Sequence, residues 1–416
     1  VTDRQNHSET DRPTDPAAQV VILGAGPAGL LLGNLLHRAG IDSVVLERAD
    51  RDHLHARARA GFLAENTVRI LDRHGLADGL RRHGRPHAAC EFRTGDGRFR
   101  LDYARLARGE RHTVYPQQHL VADLLTAYLD AGGRVHFGTE ALRVLDTDGE
   151  RPTVEARGPD GRQVRWRARY VAGCDGRHGA ARRSLPAGTA VHHHDHGLSW
   201  LGLLVEAPPS LDAVGYAVHE LGFAGHMART ERITRYYLQC ERGTPPDAWD
   251  EDRIWHELNV RMRAAEHGPL RRGSVVQRTV VDLECDVVEP LRHGSLLLAG
   301  DAASMLTPSA AKGANLAVLE AELLAGALVD DLARGDGRAL AGYSERCLEH
   351  IWRAQEFSHW MVRLLHAAPA PPVPPAARAP HGGPSGYDAG LRRARLEALR
   401  TSRAQQDWFA ENYVGL

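Results

Sequence analysis

Val20 to Gly40 reads VVILGAGPAGLLLGNLLHRAG. Four apolar residues enter a glycine turn, and an apolar helix follows and stops at Gly40. Gly24, Gly26 and Gly29 form a GxGxxG, a weak signal when it stands alone. Here SVVLER (Ser43–Arg48) supplies a second apolar strand, and Glu47 ends it about twenty residues after the turn. A strand–helix–strand order predicts a parallel sheet. The glycines let backbone N–H groups approach a pyrophosphate at the helix N-terminus, and the acid can accept hydrogen bonds from a ribose. An ordinary tight turn would explain the glycines but not the placed acid, so the stretch reads as a dinucleotide site.

The rest of the chain sets bounds on that reading. Its 416 residues exceed one compact core, so two or three subdomains are expected. Lys and Arg number 52 against 53 Asp and Glu, well mixed, which gives a nucleic-acid partner no electrostatic support. No apolar run reaches the length of a membrane span, and no signal-peptide core opens the chain. Five scattered cysteines without a CxxC argue against a thiol redox motif or a zinc knuckle, and make a reducing cytoplasm the expected location.

Texture divides the chain. Residues 1–17 are polar and read as a disordered tail. Residues 18–190 alternate strands and helices and read as the dinucleotide domain. Residues 191–297 are rich in short strands and read as an antiparallel sheet, interrupted by a helix with Ile254, Trp255, Leu258 and Met262 on one face. Residues 298–366 return to the nucleotide site and turn helical. One helix carries a stripe of Leu316, Leu319 and Leu323, the next a stripe of Leu348, Ile351, Trp352 and Met361. Residues 367–416 hold a proline-rich loop (368–386) and a C-terminal segment. The class is α/β (α+β overall): a Rossmann-like domain, an antiparallel-sheet domain and a helical C-terminal region.

Two further motifs extend the site. YVAGCDGRHGAAR (Tyr170–Arg182) and LLLAGDAA each run an apolar strand into Asp-Gly or Gly-Asp, at Asp175 and Asp301. If the strand before Asp301 joins the first sheet, its carboxylate can reach the hydroxyls of an extended ligand. Together with RARAG, TVYPQ, WLGLL, RYYLQ, AAKGANLA and the terminal AENYVGL, this pattern resembles the FAD-dependent aromatic hydroxylases. The likeness runs from about Val20 to Leu416, broken mainly by the proline-rich stretch.

The resemblance implies FAD as cofactor, held by Gly24, Gly26, Gly29, Glu47, Arg57, Arg59, Gln117, Asp175 and Asp301. Ala314 and Asn315, at the start of a helix running to Leu332, would face the N1–C2=O edge of the flavin, with Lys312 adding positive field. It implies hydroxylation of 4-hydroxybenzoate ortho to its phenol to give 3,4-dihydroxybenzoate, by way of a C4a-hydroperoxyflavin, with NADPH or NADH and O2. Tyr216, Tyr413 and His87 would relay the phenolic proton, and the Pro308 carbonyl would face the substrate hydroxyl. Arg229 and Tyr237 would hold the carboxylate. Met227 stands where the family has a serine donor, and Gly225 where it has a larger apolar residue. Gly225, Met227 and Arg229 alternate, so one strand face should present all three. The Met227 change opens two substrate readings, 4-hydroxybenzoate or another para-substituted benzoate such as 4-aminobenzoate. An FAD-binding sensor without turnover is the rival from another class. Arg48, His53, His178 and Arg182 are the expected contacts of the nicotinamide donor. A homodimer is implied. VHHHDH (Val191–His196) invites a metal, but His192 and His194 alone make a poor chelate, so none is expected.

Overall fold

Val20–Leu23 pairs in parallel with Ser43–Leu46 on one side and Tyr170–Gly173 on the other. The computed structural model describes residues 16–56, 61–264, 266–366 and 384–415. The first sheet runs Arg292–His293, Leu296–Leu298, Tyr170–Gly173, Val20–Leu23, Ser43–Leu46, Arg134–His136. Only the two-residue edge strand Arg292–His293 is antiparallel. Leu296–Leu298 does join this sheet, so Asp301 emerges at the same end as the glycine turn. The strand residues Val20 to Leu23 and Leu296 to Leu298 are all fully buried, as expected of a parallel sheet covered on both faces.

The second sheet has eight strands, in the order Ser304–Met305, Ser274–Glu289, Ala190–Glu206, Ile233–Glu241, Ala224–Ala228, Val214–Ala217, Ala89–Thr94, Gly97–Asp102. It is antiparallel except where Val214–Ala217 pairs in parallel with Ala89–Thr94. Residues 89–102 therefore belong to the second sheet, although they lie within the stretch read from sequence as the dinucleotide domain. Small three-stranded sheets complete the β-structure described.

Pleating gives the second sheet two different faces. Leu201, Leu203, Ala217, Ala224, Tyr236 and Leu238 point to a core closed by the helix Glu251–Arg261. Ile254, Trp255, Leu258 and Met262 fill that core as the periodicity requires. Trp200, Tyr216, Phe223, Met227 and Tyr237 point the other way, toward Tyr103, Phe357 and Tyr413.

The helix Gly313–Arg334 packs on Pro27–Arg38, and Tyr343–Leu365 packs on Gly313–Arg334 and on the strand Ser274–Glu289. Leu316, Leu319, Ile351 and Met361 are buried, while Leu323 and Leu348 pack partly buried against the core. Trp352 departs from its expected stripe: it is 42% exposed and lies edge-on to His192 at 5.4 Å. One residue past Ile351, it is turned about 100° off the apolar face.

Candidate active site

The glycine turn has the shape a phosphate needs. Gly24 sits at φ +93°, and a Cβ there would lie 2.6 Å from the Cys174 carbonyl oxygen. A Cβ on Gly29 would lie 2.0 Å from the Gly24 carbonyl oxygen. These two glycines bring strand, turn and helix together. Gly26 differs: nothing lies within 4 Å of its Cβ position. It caps the helix Pro27–Arg38 without a side-chain hydrogen bond, so the first amides face open space suited to a pyrophosphate.

The acids around this turn brace it. Glu47 accepts the Ala25 N–H at 2.7 Å and the Ala49 N–H at 2.8 Å, which fixes the turn beside the expected ribose position. Asp175 accepts the Ala181 N–H at 3.1 Å, its second oxygen is buried without a partner, and burial pushes its carboxyl up to about 6. An orphaned carboxylate oxygen beside the glycine turn fits a group that brings hydroxyls. Asp301 lies in the short 3-10 turn Gly300–Ala302, and Gln117 opens the helix Gln117–Asp130. Arg57 and Arg59 lie outside the described residues.

Glu320, absent from the sequence reading, supports Asp301 from below. It is buried on the helix Gly313–Arg334 and accepts the Gly300 N–H at 2.6 Å. Burial raises its carboxyl to about 8. An acid twenty residues further on, in an apolar helix, gave no signal of this role.

Asn315 departs from the expected picture. Its side-chain oxygen accepts from Ala64 N–H (2.8 Å) and Thr67 Oγ1 (2.7 Å), and its amide donates to the Phe62 and Ala311 carbonyls. All four side-chain bonds are committed, so any contact to a flavin edge falls to backbone. No side chain caps this helix, which leaves the Gly313 and Ala314 end to present its amides.

Lys312, at the N-cap, is buried, and burial lowers its ammonium to about 7. Its Nζ donates to the Tyr413 carbonyl at 2.9 Å and to the Gly415 carbonyl. The lysine thus fastens the C-terminal segment against the loop. Ala311 before it takes a left-handed φ of +53° and closes the turn Pro308–Ala310. The Pro308 carbonyl accepts the Ala311 N–H at 3.2 Å and retains a second lone pair.

The two tyrosines meet. Tyr216 and Tyr413, distant in sequence and both buried, have hydroxyls 2.7 Å apart. His87 does not sit on Tyr413. Its Nδ1 lies 3.0 Å from the Tyr103 hydroxyl, and that hydroxyl donates to the His87 carbonyl at 2.6 Å. The Tyr103 ring stands edge-on to Tyr413 at 5.0 Å. Tyr103 therefore comes between the tyrosine pair and the histidine. Burial first, then Arg100, holds His87 down to about 4, so it is neutral at pH 7. His112 was also missed: fully buried, it stacks on Phe62 at 4.1 Å and lies 5.0 Å from the Tyr413 ring, with both nitrogens unpartnered.

The carboxylate end lies on the same sheet face. Tyr216 registers with Gly225, and Gly225 with Tyr237, so these three form one cross-strand row. Adjacent strands are about 4.8 Å apart, so the row is roughly 10 Å long, the scale of a para-substituted benzoate. Met227 shares the face with Gly225. A Cβ on Gly225 would lie 2.8 Å from the Phe223 ring, so Phe223 takes the room that a larger residue would fill.

Arg229 is buried just beyond the strand, and one guanidinium nitrogen lies 3.5 Å from Gln118 Oε1. Burial, with Arg235 nearby, lowers it to about 10, still charged at neutral pH. Arg235 Nε donates to the Tyr237 hydroxyl at 3.4 Å. Arg235 and Gln118 were not expected here. Two guanidiniums beside one tyrosine suit a carboxylate.

The expected donor contacts divide. Arg48, His53 and His178 are exposed. Arg182 is tied to the fold: it pairs with buried Asp286 (2.5 Å) and donates to the Ala302 and Asp301 carbonyls through Nε and Nη2.

This geometry can be set beside known proteins. The family described as FAD binding domain matches residues 17–358. The chain belongs to this family. It is 35% identical over 400 residues to p-hydroxybenzoate hydroxylase of Acinetobacter baylyi, covering 96% of this chain and 95% of that one. It is 30% identical to 3-amino-4-hydroxybenzoate 2-monooxygenase of Streptomyces cremeus, over 76% and 79% of the two chains. Among solved structures, p-nitrophenol 4-monooxygenase PnpA of Pseudomonas putida superposes with TM-score 0.79 over 97% and 99%, at 20% identity, a likeness of fold. The protein is an FAD-dependent aromatic monooxygenase of the p-hydroxybenzoate hydroxylase type, using FAD, a nicotinamide donor and O2. No described helix is long and apolar enough to cross a membrane.

Proposed function

We propose that this monooxygenase hydroxylates 4-hydroxybenzoate ortho to the phenol, giving 3,4-dihydroxybenzoate. The 2.7 Å contact between the Tyr216 and Tyr413 hydroxyls carries the reading, because storing FAD needs no such pair. Bound FAD supplies reduction by NAD(P)H and activation of O2 to an electrophile. The chain supplies the rest. Arg229 holds the carboxylate, with Tyr237 and its partner Arg235 beside it. That sets the phenol at the Tyr216 end of the row. Tyr216 accepts the phenolic proton and Tyr413 accepts one in turn. Tyr103 and neutral His87 lead outward, so the ring becomes electron-rich while the site stays closed to water. The helix end at Ala314 and the Lys312 ammonium favour negative charge on the reduced cofactor.

A second reading rests on Met227. It is buried on the pocket face and donates no hydrogen bond. A charged acceptor without its neutral donor gives up roughly 1.5–3 kcal/mol. That favours another para-substituted benzoate, 4-aminobenzoate or a ring-substituted hydroxybenzoate, handled by the same chemistry. A cytoplasmic homodimer accompanies either reading.

Purified, FAD-loaded protein should be given NADPH and each acid in turn. Oxidation that 4-hydroxybenzoate stimulates, with matching 3,4-dihydroxybenzoate by mass, supports the first reading. Peroxide alone from 4-hydroxybenzoate, with clean hydroxylation of an analogue, supports the second. Bound FAD that never oxidises NADPH or NADH would sink both and leave a sensor.

A further inference from the structure

VHHHDH lacked one thing as a chelate, a ligand from elsewhere in the chain. The fold brings one. His194 and His196 stand two residues apart on the strand Ala190–Glu206, and His359 reaches them from the helix Tyr343–Leu365. The ring centroids are 4.5 Å apart for His194 and His196, and 5.1 Å from each of these to His359. One ring nitrogen from each histidine lies within 4.8 Å of the others. His196 Nε2 is buried without a hydrogen-bond partner. His192 is turned away, toward Glu289 (3.2 Å) and Trp352.

We propose that His194, His196 and His359 form a site for a divalent transition-metal ion that prefers imidazole, with zinc as the first candidate. Such ions bind neutral imidazole, with three histidines at roughly 2.0–2.1 Å and a water in the fourth position. Tetrahedral geometry needs nitrogens roughly 3.4 Å apart, so the rings must close by roughly 1.4 Å. Side-chain rotation at a half-open surface supplies that while strand and helix stay fixed. Burial and the other two rings hold His196 to about 4, so its lone pair is available at neutral pH. Charges near the cluster oppose one another. Asp195 favours a cation and is shared with Arg242, while Arg363 beside His359 disfavours one.

The site would tie the strand to the helix just behind the substrate loop. Ser358, one residue before His359, accepts through its carbonyl the Ser309 hydroxyl at 3.1 Å, next to Pro308. Gln355, one turn earlier, donates to the Asp286 and Met305 carbonyls. A metal at His359 would complete a line of attachments along this helix.

Calorimetric titration of zinc ion into untagged, chelator-stripped, FAD-loaded protein tests the proposal. One ion per chain should bind, and zinc should raise the melting temperature. Losing an outer-shell partner of a metal costs about 10–100-fold in affinity, so His359→Gln, which removes a ligand, should cost more than about 100-fold and abolish the melting shift. His192→Gln should change neither. A zinc-edge anomalous peak should fall between the three rings. Uptake that His359→Gln and His196→Gln leave intact, or a peak elsewhere, overturns the site.

Discussion

The Tyr103 hydroxyl has two partners in His87. It donates to the His87 carbonyl at 2.6 Å, and for a proton to pass outward it must turn that hydrogen to His87 Nδ1, 3.0 Å away, with the imidazole proton on Nε2. Tyr103→Phe should leave Tyr216 and Tyr413 in contact, and should hold KM for the aromatic acid. It should lower kcat by roughly ten-fold or more and shift its pH profile, since proton transfer by a placed group commonly contributes 100-fold or more. Steady-state kinetics across pH reads both, and an unchanged kcat would remove Tyr103 from the relay. Tyr413 stood out in the sequence because it sits in the terminal AENYVGL. Tyr103 and His112 did not, because only folding brings the Asp102–Leu106 segment and His112 beside Tyr413. Arg182 shows the converse: a basic residue near the right motif looks available until its carbonyl partners are seen.

At the scale of elements, the helix Gly313–Arg334 has two tasks, and only one left a trace in its sequence. Its leucine stripe follows from a 3.6-residue period and seats it on the sheets. Its support of the Gly300–Asp301 turn depends on Glu320, which shares the buried side and breaks the apolar pattern. The folded chain keeps a proton on Glu320 up to about pH 8, whereas the unfolded chain releases it near the ordinary value of 4.5. Stability therefore falls as pH rises through that window. Glu320→Gln keeps an acceptor for the Gly300 N–H and removes the titration. Its melting temperature should fall less than that of the parent between pH 5 and 8, as thermal unfolding at several pH values would show. Parallel curves would refute the assignment. Strand alternation was equally readable, since Gly225 and Met227 do share a face. What lies over Gly225 was not, because Phe223 reaches it from two residues away along the same chain.

Across the whole molecule, an FAD held at the glycine turn and beside the Pro308 loop would span two hydrophobic cores. The glycine turn belongs to the parallel-sheet core, and the Pro308 loop packs with the antiparallel-sheet core. A ligand bound at 100 times its dissociation constant adds about 2.7 kcal/mol to stability. Stripping FAD should therefore lower the melting temperature by several degrees in calorimetry, and re-adding it should restore the loss. A melting temperature indifferent to FAD would contradict binding at this turn. The two-sheet plan was readable from sequence as a change of texture, but the crossing of residues 89–102 into the second sheet was not, because strand pairing at that distance has no local signature. One more consequence concerns the order in which the chain is made. Synthesis runs from the N-terminal side, and early segments fold before later ones exist. The glycine turn, Glu47, Asp175 and Asp301 all precede Tyr413, and Lys312 waits for the Tyr413 and Gly415 carbonyls to arrive. A nascent chain thus holds its glycine turn before it holds the Tyr216–Tyr413 contact. On the proposed reading, a chain interrupted before Tyr413 would keep the glycine turn and lack the hydroxyl that meets Tyr216.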